Sequence, residues 1–354
     1  MKKFYAEWEK QDGIMLAFPH KDSDWNEYLE EAREVYCQII YEISKIETCI
    51  LLCQNKIETK TFLKQQAKTH KWDLNLKNLY LIEMPTNDTW ARDFGGITIC
   101  KNNKNIVLDY GFNGWGLKFA SNFDNNITRN LYKLGILKNI QTKKLILEGG
   151  SIESNGEGIV LTNTQCLLES NRNPAYTQKK IEKILKKDFG AKKILWLNNG
   201  YLAGDDTDSH IDTLARFVNT NAIAYLKCED KNDEHYPALA KMEKELKKLK
   251  NLEGKPFKLI ALPFCEAKYY HNERLPATYA NFLFINGAVL LPIYNDKNDK
   301  KAIEILQKAL PKHKIIPIDC SILIRQHGSL HCISMQFPKN TLNYKALEKL
   351  RKFF

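Results

Sequence analysis

The sequence predicts an α/β chain built from a repeated unit of two strands and a helix. Three observations predict it. Apolar runs of strand length come in pairs around short polar turns. Amphipathic helical stretches follow most of these pairs. Polar segments bearing carboxylate, imidazole or thiol groups recur at intervals of about 55 (Asp93 to Glu148), about 62 (Glu148 to His210) and about 52 residues (Ala280 to Cys332). Such a period is the length of a supersecondary unit, and about five units fit the chain.

The strand pairs come in order. Residues 96–99 and 106–108 flank a polar turn at 101–105, and residues 150–161 fold around Asn155-Gly156. Residues 214–218 and 222–226 flank Asn219-Thr220-Asn221. Residues 280–285 and 288–293 flank Asn286-Gly287, the strongest short hairpin signal. These strands are apolar enough to be largely buried. Four helices read from apolar positions three and four apart. They cover residues 25–43 (Ala32, Tyr36, Ile39, Ile43), 177–189 (Ile181, Ile184, Leu185), 237–249 (Leu239, Met242, Leu246) and 299–310 (Ile303, Leu306). Gly190 stands where a helix C-terminus wants a glycine. No linker rich in Pro, Gly or Ser divides the chain, so a single domain over residues 1–354 is expected.

Composition excludes several classes. With 44% hydrophobic residues, the chain has material for a sizeable core. The formal charge of +11 invites a nucleic-acid reading, but lysine and glutamate interleave, as in residues 241–248, and no basic block with aromatics appears. No apolar run reaches the ~18 residues of a membrane span. The stretch from Met1 to Tyr5 turns charged again at Glu7, Glu9 and Lys10, unlike a secretory signal, so a cytoplasmic location is expected. Nine cysteines, an odd number without a CxxC pair, fit reduced thiols.

The chemistry concentrates in a few segments. Cys332 closes a Gly-Ser-Leu-His-Cys run, beside His331 and ahead of an apolar strand, and is the candidate nucleophile; the other eight cysteines read as core thiols. His210 and Asp212 alternate with Ser209 and Ile211, so an extended chain would project both into one cavity. His210 is the candidate acid and base. Asp93 and Asp212 each have the fork that holds two N–H groups of a planar guanidinium. Trp90 can stack on the cation's face. Glu148, next to Gly149-Gly150, can move a proton or orient His210. Asp206, beside Asp205, can meet a second, distal ammonium. Arg92 reads as a structural partner, because a cation in the pocket would repel this substrate. The bland alternatives are surface salt bridges for Asp93 and Glu148, a buried thiol for Cys332 and a solvated acidic turn at 205–206. Zinc on His210, Asp212 and Cys332 is a further reading, opposed by the lack of a second histidine at the spacing such sites use.

Read together, residues 88–96 (Asp-Thr-Trp-Ala-Arg-Asp-Phe-Gly-Gly), 112–116 (Phe-Asn-Gly-Trp-Gly), 148–150 (Glu-Gly-Gly), 205–212 (Asp-Asp-Thr-Asp-Ser-His-Ile-Asp) and 331–333 (His-Cys-Ile) resemble the agmatine deiminases. These belong with the bacterial-type peptidylarginine deiminases in the guanidine-modifying, or pentein, superfamily. The resemblance runs from about residue 5 to about 340. It implies a five-bladed α/β propeller of repeated ββαβ modules with pseudo-fivefold symmetry, and no metal or organic cofactor. It implies Cys332 as nucleophile, His210 as acid and base, Asp93 and Asp212 as guanidinium clamps, Glu148 as the carboxylate assisting proton transfer, and Trp90 as a pocket wall. The sequence departs from the family at Gln326-His327-Gly328-Ser329-Leu330, where Gly-Gly-Gly-Asn-Ile is usual, and at Asp208-Ser209, where Asn-Gly is usual. The implied reaction is hydrolysis of agmatine to N-carbamoylputrescine and ammonia through an amidino-cysteine, feeding putrescine synthesis. Free arginine or a peptide's C-terminal arginine is the alternative substrate, and amidino transfer the weaker alternative reaction. The expected partner is a small cationic guanidine, with no nucleic acid and no membrane; a homo-oligomer stays open.

Overall fold

The structure, a computed structural model, describes residues 2–351; Met1 and residues 352–354, which the single-domain expectation includes, lie outside the described residues. The chain is α/β, and one strand pattern occurs five times. In the first copy, Ile97–Lys101 pairs antiparallel with Lys104–Gly111. The helix Ile127–Lys133 then leads to Ile140–Ile146, which pairs parallel with Lys104–Gly111. The same order runs through Ile152–Ser154, Ile159–Asn163, helix Gln178–Phe189 and Lys193–Leu197. It runs again through Ala215–Asn219, Ala222–Leu226, helix Tyr236–Leu246 and Lys258–Leu262. The fourth copy is Leu283–Ile285, Ala288–Ile293, helix Asp299–Ala309 and Lys314–Asp319.

The fifth copy joins the two ends of the chain. Ser334–Pro338 pairs antiparallel with Gln11–Ala17, helix Leu29–Ile46 follows, and Thr48–Cys53 adds parallel. Helix Lys56–Thr69 and strand Leu79–Glu83 extend this sheet. A separate hairpin, Lys268–Tyr270 with Glu273–Leu275, interrupts the chain between the third and fourth copies.

Local chemistry accounts for the boundaries. Thr177 caps the second unit's helix by accepting from Lys180 N, and Gly190 ends it at φ 71°, a conformation costly for a residue with a Cβ. The helix expected over residues 25–43 starts later, at Leu29, because Asn26–Tyr28 forms a 3₁₀ turn, and it runs on to Ile46. It buries Ala32, Tyr36, Ile39, Ile40 and Ile43 against Thr48–Cys53, a strand buried throughout. Each large aliphatic side chain so buried contributes about 1.5–3 kcal/mol relative to exposure. The helix Lys56–Thr69 has a weaker stripe, burying only Thr59, Leu63 and Gln66. Its start is marked by the Asn55 side chain, which accepts from Ile57 N and Glu58 N. Among the described residues no helix is long and apolar enough to cross a membrane.

Candidate active site

Each copy of the pattern places a polar residue within four positions ahead of its first strand. These are Asp93 in the turn Ala91–Phe94, Glu148 before the turn Gly149–Ser151, Asp212 in the turn Ile211–Thr213, Asn281, and Cys332. All five are buried. Gly150 marks where several meet. A Cβ on it would lie 2.5 Å from His210 Nδ1, 2.9 Å from Asp93 Oδ1 and 3.1 Å from Asp212 Oδ2. Beside this point is a cavity of about 270 Å³ whose walls include Trp90, Asp93, Trp115, Asp206, His210 and Cys332. A larger cleft of about 560 Å³, near Cys228 and Asn298, contains none of these groups.

Cys332 Sγ lies 3.4 Å from Asn281 Oδ1 and 3.8 Å from Asp212 Oδ2. Burial, then the carboxylates of Asp212 and Asp93, push its thiol well above the ordinary range. Burial also acts on Asp212, but the His331 ring against its Oδ2 at 2.7 Å outweighs it and holds this carboxyl below its usual value. The other oxygen, Asp212 Oδ1, is buried without a hydrogen-bond partner among the described residues. Asp93 accepts from Gly150 N and from Trp115 Nε1, both at 2.9 Å. Burial and the nearby Asp212 and Glu148 carboxylates nevertheless push Asp93 up to about 6, against the pull of His210.

His210 lies 3.5 Å from both Asp93 Oδ1 (through Nδ1) and Glu148 Oε2 (through Nε2). Burial favours its neutral form, but Asp93, Cys166 and Glu148 outweigh that and hold it well above its ordinary range. Glu148 is gripped by Arg172, whose Nε lies 2.9 and 2.8 Å from its two oxygens. Against its burial, the His210 contact and the Arg172 charge keep Glu148 below the usual value. Arg172 also donates to Asp208 Oδ2 at 2.6 Å and to Thr207 O at 2.9 Å. Trp90 packs closely on Gly328, where a Cβ would fall 2.1 Å from its ring. Asp206 stands on the wall, pushed up to about 6 by burial and by Asp205.

The structure therefore brings Trp90, Asp93, Asp206, His210 and Cys332 to one cavity. Asp212 lies behind the thiol. Glu148 sits deeper still, off the cavity wall and within reach of His210 alone among the candidates that face it. The surface salt bridges considered for Asp93 and Glu148 are absent: both are buried, and only Glu148 has an arginine partner. His210 and Asp212 do not share a strand face as expected. The chain turns at Asp208 (φ 65°) and Ser209 (φ 69°) into the 3₁₀ turn Ile211–Thr213, and the turn makes the two side chains converge. Those two left-handed residues stand where the resembling family has Asn-Gly, the pair best suited to that backbone. Cys166, read as a core thiol, is buried in the core as expected, and its Sγ also lies 3.8 Å from Glu148 Oε2. Arg92 is structural, donating to Gln336 Oε1 at 2.6 Å. Sequence reasoning missed Arg172 and Asn281; the repeat period that begins on Ala280 came within one residue of the latter.

Among the described residues two groups have ligand atoms close enough to share a metal ion, Glu148–Cys166–His210 and Glu7–Glu153–His331. In each an arginine already occupies the cation's place. Arg172 bonds Glu148, and Arg216 bonds both Glu7 and Glu153.

A cavity lined by carboxylates, His210 and the Cys332 thiol is thus assembled from segments far apart in the chain. The sequence profile described as Porphyromonas-type peptidyl-arginine deiminase matches residues 3–338. A Legionella pneumophila (strain Paris) protein, provisionally named an agmatine deiminase, is 32% identical over 339 residues, covering 95% of this chain and 95% of that one. The solved structure of a Cys-to-Ser variant of the C. jejuni agmatine deiminase with substrate bound is 44% identical, with TM-score 0.87 over 96% of this chain and 97% of that one. The agmatine deiminase of Enterococcus faecalis is 25% identical, with TM-score 0.85 over 96% of each chain. Profile, identity and backbone agree along nearly the whole length, and the chain belongs to the Porphyromonas-type peptidyl-arginine deiminase family.

Proposed function

We infer that the protein hydrolyses agmatine to N-carbamoylputrescine and ammonia. One observation carries the reading most directly: Asp212, whose Oδ2 lies 3.8 Å from the Cys332 thiol, keeps its other oxygen buried without a hydrogen-bond partner among the described residues. A buried acceptor left unmade costs about 1–3 kcal/mol, more when charged, so the site is complete only with a donor in place. A guanidinium supplies such donors in a planar fork, and its charge answers Asp93 and Asp212 together.

The steps follow from that placement. As the cation enters, its charge opposes the carboxylates that hold the thiol up, and the Cys332 proton leaves to solvent. The thiolate attacks the guanidinium carbon. Protonated His210, oriented by Glu148, gives its proton to the departing nitrogen, and ammonia leaves an S-amidino cysteine. His210, now neutral, takes a proton from water as the oxygen attacks the same carbon. Collapse passes the hydroxyl proton to the departing Cys332 sulfur, which regenerates the thiol and frees the ureido product. Trp90 forms the wall on which the cation's face rests.

The cavity lining favours agmatine over arginine. Asp24, Asp88, Asp205 and Asp206 belong to it, with His210 and His327 the basic residues among them. An ammonium suits these carboxylates, whereas the α-carboxylate of arginine would face like charge. The five strand patterns, with the chain ends joined in one sheet, support a single domain folded as a five-bladed α/β propeller of ββαβ modules. On this reading the enzyme works in the cytoplasm on a small cationic guanidine, with no organic cofactor, and its product enters putrescine synthesis.

The test is to incubate the purified protein with agmatine, free arginine and a peptide ending in arginine, and to measure ammonia and ureido product. Turnover confined to agmatine, and lost in Cys332→Ala, is expected. Turnover of an arginine compound alone overturns the substrate, and full activity in Cys332→Ala overturns the mechanism.

A further inference from the structure

The residue before the thiol has no part in the steps above. His331 is buried and stands behind Asp212, away from the cavity. Its Nδ1 lies 2.7 Å from Asp212 Oδ2, and its Nε2 lies 2.7 Å from Glu7 Oε2. An ionised carboxylate only accepts hydrogen bonds. Two carboxylates at bonding distance on opposite sides of one imidazole therefore call for hydrogen on both ring nitrogens.

The surroundings support that state. Glu7, from the segment between strand Lys2–Phe4 and strand Gln11–Ala17, is tied to Arg216 Nη2 at 2.6 Å, and Arg92 Nη2 lies 3.8 Å away. Arg216 also bonds Glu153 and the carbonyl of Phe282. The charged groups facing His331 are thus Asp212 and Glu7 in contact, with Arg92, Arg216 and Glu153 around them and Cys332 next in the chain. A cavity of about 30 Å³, room for one water, adjoins Glu7, Arg92, Glu153, His331 and Gln336 on this rear side. The two clamp carboxylates make a comparison. Both are buried, yet Asp93, contacted by neutral donors and a more distant His210, is pushed up, while Asp212, against His331, is held down.

We propose that His331 is a positioning residue: a doubly protonated imidazolium pinned between Glu7 and Asp212, which keeps Asp212 ionised and fixes its carboxylate beside the Cys332 thiol. The inference rests on Asp212 acting as a guanidinium clamp. It makes the N-terminal segment part of the site, since Glu7 acts on substrate only through His331 and Asp212. It also means that one cation stands permanently behind the nucleophile, limiting the repulsion Asp212 exerts on a thiolate.

Nitrogen-15 NMR of histidine-labelled enzyme without substrate tests the protonation state. The chain has 8 histidines; His331→Gln assigns the signal, and His210→Asn separates the other histidine held between carboxylates. If His331→Gln does not fold, Glu7→Gln, which keeps shape and one acceptor, identifies the ring by its shift. The expected result is two protonated nitrogens on His331 in the wild-type protein, with the pair of signals altered in Glu7→Gln. Agmatine kinetics give the second readout. Glu7→Gln is expected to raise KM roughly 10-fold, the scale of one weakened charge-assisted contact, with kcat changed less than about threefold. A purely structural His331 would lower the active fraction and leave KM unchanged. A neutral His331 in the wild-type protein, or wild-type KM in Glu7→Gln, overturns the proposal. The NMR measurement needs no substrate, so absence of agmatine turnover would overturn the clamp reading separately from the protonation state.

Discussion

Arg172 Nε contacts both oxygens of Glu148, at 2.9 and 2.8 Å, and both side chains are fully buried. The pair is the support on which His210 rests, because Glu148 Oε2 also faces His210 Nε2. Removing one member of a buried ion pair leaves an uncompensated charge and costs about 3–5 kcal/mol. Arg172→Gln is therefore expected to lower stability by that amount in urea unfolding and to reduce kcat. Arg172→Lys restores the charge without the planar fork, so it should recover stability in part and kcat less. An unfolding midpoint unchanged in Arg172→Gln would refute the pairing.

Gly150 is the narrowest point of the site. Alanine there puts a methyl 2.5 Å from His210 Nδ1 and 2.9 Å from Asp93 Oδ1, closer than any real contact allows. One of these side chains must move by several tenths of an ångström or more. Misplacement on the scale of 1 Å costs about 100-fold in rate. Gly150→Ala is expected to keep the fold, as read by circular dichroism, and to lose about that factor in kcat. Activity within a few-fold of wild type would show that the His210–Asp93 spacing is not critical.

How much of this was legible beforehand follows from the physics of each residue. The repeated strand pairs and the polar residue ahead of each hairpin are local patterns, so Asp93, Glu148, His210, Asp212 and Cys332 stood out in the sequence. Trp90 and Asp206 came from the same segments. Arg172 sits in a loop, and its partners lie 24 and 36 residues away, Glu148 before it and Asp208 after it. Nothing local distinguishes it from other surface-type arginines. Asn281 looked like the second residue of a strand, although the strand begins at Leu283. The closeness of His210 and Asp212 was right for the wrong local reason. Two left-handed residues, rather than a strand face, turn them together. His331 needed Glu7, 324 residues distant, before it could be seen as more than a neighbour of the thiol.

Asp93 sets a pH limit. Its carboxyl is pushed up to about 6, above the ordinary aspartate value, and only the ionised form can hold a cation. The kcat/KM for agmatine should fall as pH drops through about 6. The stability linkage has the opposite sign. A carboxyl raised on folding contributes stability that is present below its unfolded value and lost as pH rises through about 6. This group therefore does not unfold the enzyme in acid, and Asp212 and Glu148, held below their usual values, keep their contribution down to still lower pH. Activity lost at pH 5 should return in full at pH 7.5. Trp115→Phe removes the Nε1 donor from Asp93 Oδ2, so the acid limb should move to higher pH. A hydrogen bond to a charged group contributes about 1.5–3 kcal/mol, or about one to two pH units, so kcat/KM at pH 7 should fall roughly 2- to 15-fold. A pH profile flat to pH 5 would remove Asp93 from the clamp.

Asn281 separates the thiol's chemistry from substrate binding. Its Oδ1 accepts from His331 N at 2.8 Å and Cys332 N at 3.3 Å, and lies 3.4 Å from Cys332 Sγ. Asn281→Asp keeps the shape and the acceptor but adds a negative charge beside a sulfur already opposed by Asp212 and Asp93. At an effective dielectric near 20, two unit charges at such a distance repel by about 5 kcal/mol. Thiolate formation should become harder, so kcat should fall on the order of 100-fold or more. The added anion should leave agmatine binding intact or strengthen it, so KM should not rise. Alkylation of Cys332 by iodoacetamide, followed against pH, reads the thiolate directly and should shift to higher pH in Asn281→Asp. Wild-type kcat together with an unshifted alkylation profile would mean that Asn281 merely holds the loop. A rise in KM with kcat unchanged would instead move Asn281 from the nucleophile to the substrate.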